Sequence, residues 1–318
     1  MKKIFPVLTL LFIQSLSLFA QDGNFTEWYL RRGDVDVYVK EIKGGKDTVI
    51  VVHGGFGANH DYMTDAIKGL EDRFHFILYD QRGSLLSPTA TTNLSFRKNV
   101  DDLYALVKAL ESKKVKLFCH SMGTLVGMEF TSQHPELVSH LVLAGIIPPK
   151  SDSSGNIFTQ RYAEQVNYLM NRKEVVDLLQ PYKEKGIDSL WQPVKDDSPY
   201  SHKDVTEHWR ILFASVNIYD VGKHHLMKGG MGYYKKDASV MSGTVDWKYD
   251  YRPVMNDKVK TTIINGDHDF LDFNAETLKE QLVNYKNIEL LVIPNAGHNS
   301  WIDDPVLFQK YFIKGLTR

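Results

Sequence analysis

Phe118-Cys119-His120-Ser121-Met122-Gly123-Thr124 follows the compact apolar run Val115-Lys116-Leu117-Phe118 and leads into Leu125-Val126-Gly127-Met128-Glu129-Phe130. The order is strand, sharp turn, helix, with a serine at the apex. A serine so placed gains chemistry, because the turn lifts its Oγ out of the sheet while the N–H groups that follow begin a helix and point at developing negative charge. Gly123, two residues on, lets the helix pass close to the strand. Cys119 stands where the Gly-x-Ser-x-Gly pattern has its first glycine, and it is small enough to be tolerated there. The competing reading is a helix N-cap, a common role for serine.

Outward from this turn, Thr48-Val49-Ile50-Val51-Val52 and Phe74-His75-Phe76-Ile77-Leu78-Tyr79 are unbroken β-branched or aromatic runs, as strands covered on both faces require. Further buried strands read at 138–144, 261–265 and 288–293. Val35-Asp36-Val37-Tyr38-Val39-Lys40 alternates instead, which predicts a half-exposed antiparallel strand, with Trp28-Tyr29-Leu30 as its partner. Val100, Leu103, Tyr104, Val107 and Leu110 repeat at helix spacing, as do Leu307, Phe308, Tyr311 and Phe312. Strand and helix alternate, so the fold class is α/β, a mostly parallel doubly wound sheet.

That rhythm fails over 148–247, where Pro148-Pro149 and Ser151-Asp152-Ser153-Ser154-Gly155 make a loop and amphipathic helical stretches follow at 162–179 and 205–219. The expected organisation is a core in two parts, 21–147 and 248–318, with a helical cap over 148–247 between them. The cap aromatics Trp191, Trp209, Phe213, Tyr219, Tyr233 and Tyr234 either line a pocket or pack the cap's own small core. Lys113, Lys114 and Lys116 read as a solvated helix end.

A serine alcohol is a weak nucleophile and needs a base, commonly oriented by a carboxylate. Two loops that follow buried strands offer both: Gly266-Asp267-His268-Asp269 and Pro294-Asn295-Ala296-Gly297-His298-Asn299. Loops at the carboxyl ends of parallel strands share one edge, so Ser121, Asp269 and His298 are expected to converge as nucleophile, acid and base. At the same edge lies Val52-His53-Gly54-Gly55-Phe56-Gly57, whose exposed backbone N–H at Gly55 can join that of Met122 as an oxyanion hole. Phe56 is a candidate substrate contact. The glycines lack a Gly-x-Gly-x-x-Gly or lysine-serine pattern, which argues against a nucleotide site. His224-His225 has no third ligand at a recognisable spacing, so neither metal nor cofactor is expected.

His53-Gly54-Gly55-Phe56-Gly57, Tyr79-Asp80-Gln81-Arg82-Gly83-Ser84, the elbow at Ser121, Gly266-Asp267-His268-Asp269 and Gly297-His298 together resemble the α/β-hydrolase family. The Asp80 to Ser84 run is most similar to the proline iminopeptidase branch. The resemblance implies Ser121 as nucleophile, Asp269 rather than Asp267 as acid, and His298 as base. It implies a serine hydrolase working through an acyl-enzyme, first an aminopeptidase on short peptides or amino-acid amides. Departures are Phe56 where that branch usually has proline, Leu85 where it has glycine, and Cys119 and Thr124 in the elbow. Cap glutamates hold the substrate amine in those peptidases, and Glu164, Glu174, Glu184 and Glu207 match no such pattern. A carboxylesterase or lipase is the alternative within the class, and a non-catalytic or slowly hydrolysing ligand-binding protein the alternative outside it.

The 38 basic and 39 acidic residues leave a net charge of −1, so no field draws nucleic acid or an anionic membrane. The expected partner is a small molecule or short peptide. Cys119 is the single cysteine among 318 residues, so no intrachain disulfide forms. Lys2 and Lys3 precede an uncharged run over 4–19, then Ala20 and the polar Gln21-Asp22-Gly23-Asn24. That pattern reads as a secretory signal peptide over 1–20, with a periplasmic or secreted product and no stable membrane span after cleavage.

Overall fold

Alternate residues of the central strands face opposite sides of one sheet, and both sides are covered. In the computed structural model, which describes residues 25–152, 156–189, 192–227 and 235–318, these strands build an eight-stranded sheet. The expected signal segment, together with Trp191, Tyr233 and Tyr234, lies outside the described residues.

The strands are β1 (Phe25–Arg31), β2 (Asp36–Ile42), β3 (Thr48–Val52), β4 (His75–Tyr79), β5 (Val115–His120), β6 (Val138–Ala144), β9 (Lys260–Gly266) and β10 (Ile288–Ile293), in spatial order β1-β2-β4-β3-β5-β6-β9-β10. A short separate ribbon pairs β7 (Lys150–Asp152) with β8 (Lys248–Asp250). β2 runs antiparallel to both of its neighbours, β1 and β4; the six strands from β4 to β10 in spatial order are parallel. The α/β fold class read from the sequence is therefore the one observed. The order reverses at β3, with β4 on one side and β5 on the other. A crevice opens at such a switch point, beyond the carboxyl ends of the strands.

Ile50, Val52, Leu117, Cys119, Leu141 and Leu143 pack one face against helices Phe96–Ala109 and Gly123–Gln133. Val49, Val51, Phe118 and Val142 pack the other against Phe308, Phe312 and Leu316 of helix Pro305–Thr317. The registers Val49↔Lys116 and Val51↔Phe118 put the apolar alternation of neighbouring strands in step. Lys116 departs from the sequence expectation of a solvated helix end. It lies in β5, buried, because its Nζ donates to the Leu316 carbonyl at 2.5 Å and pairs with Asp47 at 2.8 Å.

The chain leaves the sheet after β6 and returns at β9, and β7–β8 pairs at the neck of this excursion. The expected helical stretch at 162–179 is two helices, Asn156–Met170 and Lys173–Glu184, separated at Arg172, whose guanidinium donates to the carbonyls of Tyr219 and Ser215. Helix His202–Asn217 starts at a capping box, Ser201 with Asp204. Val175, Leu179, Ile211, Ala214, Ile218 and Val221 form a small separate core. Phe213 packs on this core and stacks on Trp209 at 4.8 Å, so these two aromatics serve packing.

Candidate active site

The turn after β5 is held tightly. Ser121 has φ of 53°, a left-handed conformation unusual for a non-glycine residue, and its N–H donates to Ala144 O at 3.1 Å. Gly123 is required by close approach: a Cβ there would lie 2.3 Å from His53 O and 2.6 Å from Val52 O. Thr124, a departure from the glycine pattern, donates its hydroxyl to Ser121 O at 2.5 Å and accepts the Ile147 N–H at 3.1 Å. Cys119, the other departure, fits because Gly127 on the facing helix has no side chain; a Cβ there would sit 2.3 Å from the sulfur. Burial pushes the Cys119 thiol pKa up, which keeps it a neutral apolar filler.

Asp269 and His298 meet. The His298 ring Nδ1 lies 3.0 and 2.9 Å from the two Asp269 carboxylate oxygens, and both side chains are buried. A carboxylate only accepts, so Nδ1 carries a proton, and in the neutral tautomer this leaves the Nε2 lone pair for a second partner. Asp269 also accepts the Leu271 N–H at 2.9 Å. Asp267 is turned elsewhere, toward His268 and the Ala296 N–H. Ser121 adjoins His120, whose ring centroid is 4.5 Å from that of His298. Ser121, Met122, Gly55 and Phe270 are partly exposed beside the buried Asp269 and His298. Met122 sits at the N-cap of helix Gly123–Gln133, whose first turn is closed by the Thr124 N–H on Ser121 O at 2.8 Å and the Leu125 N–H on Met122 O at 3.1 Å.

The loop after β3 is braced from below. His53 Nε2 accepts the Gln81 N–H at 3.0 Å, and the Gln81 amide donates to His53 O at 2.5 Å and accepts from Asn99. Burial lowers the His53 pKa, so the ring stays neutral. Asp80 accepts from the His60 backbone and ring and from the Leu86 N–H. Burial alone would raise its pKa, and the hydrogen bonds from His60 reverse this to a net lowering. Arg82 is forked onto Asp102 at 2.7 and 2.8 Å and reaches Asp34 at 3.2 Å. The whole Asp80 to Arg82 run is thus spent inside the protein. Phe56, the candidate substrate contact, is 2 % exposed and packs edge-on to Phe96, which places it in the core beneath the loop. His224 bonds to the Val221 carbonyl at 3.1 Å and faces Glu207 at 3.9 Å.

Three residues with no motif to mark them shape the site. Phe270 lies 4.5 Å from the His298 ring, with Tyr162 edge-on at 5.6 Å on its far side; its position beside Asp269 was the available signal. Tyr62 joins the Gly54 N–H to the His120 ring. Asp303 accepts N–H groups from Gly297, Tyr219 and Asp220 at 2.8, 2.8 and 3.0 Å. Tyr62 and Asp303 gain their roles only through folding.

Residues 47–181 match the family described as alpha/beta hydrolase fold. An Arabidopsis thaliana 1-acylglycerol-3-phosphate O-acyltransferase is 22% identical over 325 residues, covering 90% of this chain and 71% of that protein. A proline iminopeptidase of Clostridium botulinum is 28% identical over 134 residues, 40% of this chain and 46% of its own length, so the chain spans less than half of that relative. Among solved structures, a proline iminopeptidase-related protein of Thermus thermophilus superposes with a TM-score of 0.64 at 20% identity, covering 92% of this chain and 97% of its own. A thermophilic esterase from Thermogutta terrifontis gives 0.61 at 16% identity, with 92% and 97% covered. At these identities the likeness to the solved structures is one of fold.

Proposed function

We propose that this chain, whose residues 47–181 match the alpha/beta hydrolase fold and whose structure resembles a proline iminopeptidase-related protein and an esterase, is a serine hydrolase working through an acyl-enzyme. Ser121 Oγ attacks a carbonyl carbon, His298 Nε2 takes its proton, and Asp269 holds the imidazole in the tautomer that makes this possible. The N–H groups of Gly55 and Met122 receive the oxyanion. His298 then gives the proton to the leaving group, and water repeats the sequence to release the acid. The single observation that carries this reading is the bidentate approach of buried Asp269 to His298 Nδ1 at the edge from which strained Ser121 projects.

On the substrate, two readings stand. Capture of a free amine needs an available carboxylate. Glu174 faces Arg172 at 3.5 Å, Glu184 accepts from Gln180 at 3.1 Å, and Glu207 pairs with Arg210 at 2.9 Å. Asp80, in the run that resembles the peptidases, is likewise engaged. This favours small carboxylic esters, with Phe270 and Tyr162 as an apolar border. The aminopeptidase reading, on short peptides or amino-acid amides, is supported by the similarity to proline iminopeptidases. In either case the product is periplasmic or secreted if the N-terminal segment is a cleaved signal.

Purified chain and its Ser121→Ala variant are to be assayed on short-chain aryl esters and on proline and alanine arylamides with free and blocked amines. Activity should fall by at least about 10³-fold in the variant. Retained activity there would reject the mechanism. Turnover limited to free-amine arylamides would select the aminopeptidase, and turnover of esters regardless of an amine would select the esterase.

A further inference from the structure

Beneath the candidate site runs a chain of three hydrogen bonds that joins its parts. The Gly54 N–H donates to Tyr62 Oη at 2.6 Å. Tyr62 Oη lies 2.8 Å from His120 Nδ1, and His120 Nε2 lies 3.2 Å from the backbone carbonyl of His298. One end sits in the oxyanion loop, the middle adjoins Ser121, and the other end is the base. Direction is fixed by what each group can do. An amide N–H only donates, so Tyr62 accepts there and sends its own proton to His120 Nδ1. Nδ1 therefore accepts, and Nε2 carries the proton that goes to the His298 carbonyl, which can only accept. A protonated His120 would direct two donors at the tyrosine oxygen and strand the phenol proton. Burial, reinforced by the nearby His298, also holds the His120 pKa well below the ordinary histidine value. The ring is packed on Trp301 at 4.8 Å and His298 at 4.5 Å, and Tyr62 stacks on Trp301 at 6.2 Å, so neither side chain can turn freely.

We propose that Tyr62 and His120 are positioning residues, which hold the oxyanion loop, the nucleophile and the base in one register through this single directed chain. The inference rests on Ser121 and His298 acting as nucleophile and base. The spacing across these parts is tight: a Cβ on Gly54 would fall 2.5 Å from Ser121 Cβ, and one on Gly145 would fall 2.6 Å from the His298 ring. His298 is thereby held twice, by its ring through Asp269 and by its backbone through His120. Neither positioning residue exchanges a proton with substrate. Their effect falls on the transition state, because a loop displaced by a fraction of an ångström still admits substrate but misplaces the oxyanion donors.

The test uses the full chain, an aryl fluorophosphonate whose P=O takes the place of the oxyanion, and an aryl ester substrate. Tyr62→Phe keeps the ring and its stacking and removes both ends of its hydrogen bonding. Its phosphonylation should be slower by about 10- to 100-fold at full stoichiometry, with kcat down in parallel and KM within about twofold. Where Tyr62→Phe fails to fold, His120→Asn reads the same quantities: its short amide still meets Tyr62 but cannot reach the His298 carbonyl. An unchanged rate in the variant that folds overturns the proposal. So does a loss of stoichiometry with an unchanged rate for the fraction that reacts, which marks a merely structural role. Wild-type protein that is not phosphonylated on Ser121 fails the underlying mechanism instead, and so separates the two.

Discussion

Asp269 is the residue whose chemistry is most sharply set by geometry. Its two oxygens lie 3.0 and 2.9 Å from His298 Nδ1, so an amide in its place would offer a donor where the ring also donates. Asp269→Asn should leave KM nearly unchanged and lower kcat by about 10⁴-fold, as the imidazole settles in the wrong tautomer; steady-state kinetics on the best ester or amide checks it. Cys119 makes a second case. It is fully buried against Gly127, so a small maleimide should label native protein slowly and protein in urea rapidly. Gly127→Ala, which would force a methyl to within 2.3 Å of the sulfur, should destabilise by about 1–3 kcal/mol in urea titration. The sequence displayed Cys119 as a departure from the elbow pattern but hid its remedy. Gly127 compensates across the strand–helix contact, a relation between two positions that neither reveals alone.

The loops that carry the site were legible because each follows an apolar run long enough to be a buried strand, and parallel strands place such loops on one edge. Less was legible where an element exists only through a distant partner. The three-residue strands β7 and β8 have no apolar signature, and they pair across about a hundred residues of chain. The junction between the excursion and the loop that carries His298 is of the same kind. Asp303 accepts from Gly297 beside His298 and from Tyr219 and Asp220 past the end of helix His202–Asn217, while the Asn299 N–H donates to Asn217 O at 2.7 Å. Gly297 allows the contact, since a Cβ there would lie 2.8 Å from Ile218 Cα. Asp303→Ala leaves three N–H groups without their acceptor. Hydrogen exchange at Gly297, Tyr219 and Asp220 should then rise by about tenfold or more, with the central strands unchanged. Unaltered exchange at those amides would show that the carboxylate is not what fastens the excursion to the core.

Near-balanced charge over the whole chain conceals an organised set of ion pairs that fixes the edge hairpin to the rest. Asp34, in the turn between β1 and β2, pairs with Lys98 at 2.6 Å and Arg82 at 3.2 Å. Asp102 receives Arg82 and Arg32. Three segments far apart in sequence, the hairpin turn, the loop after β4 and helix Phe96–Ala109, are joined here. The Lys98 hydrogen bond, followed by the bond and charge of Arg82, outweighs partial burial and lowers the Asp34 pKa from 3.8 to about 2. A carboxyl whose folded pKa is depressed adds stability that is complete above its unfolded value and disappears as pH falls through the folded one. The Asp34 contribution is therefore present above about pH 4 and gone below about pH 2. Because Asp34 is partly exposed, solvent screening limits it to about 1 kcal/mol. Asp34→Asn should accordingly melt about 2–4 °C below wild type at pH 6, with most of that difference gone at pH 2, where about half of the wild-type carboxyl is protonated. Thermal melts of both proteins over this range decide the matter: a difference that persists undiminished at pH 2 would assign the stability to the shape of the asparagine's surroundings, and the hairpin would be held by packing rather than by its ion pairs.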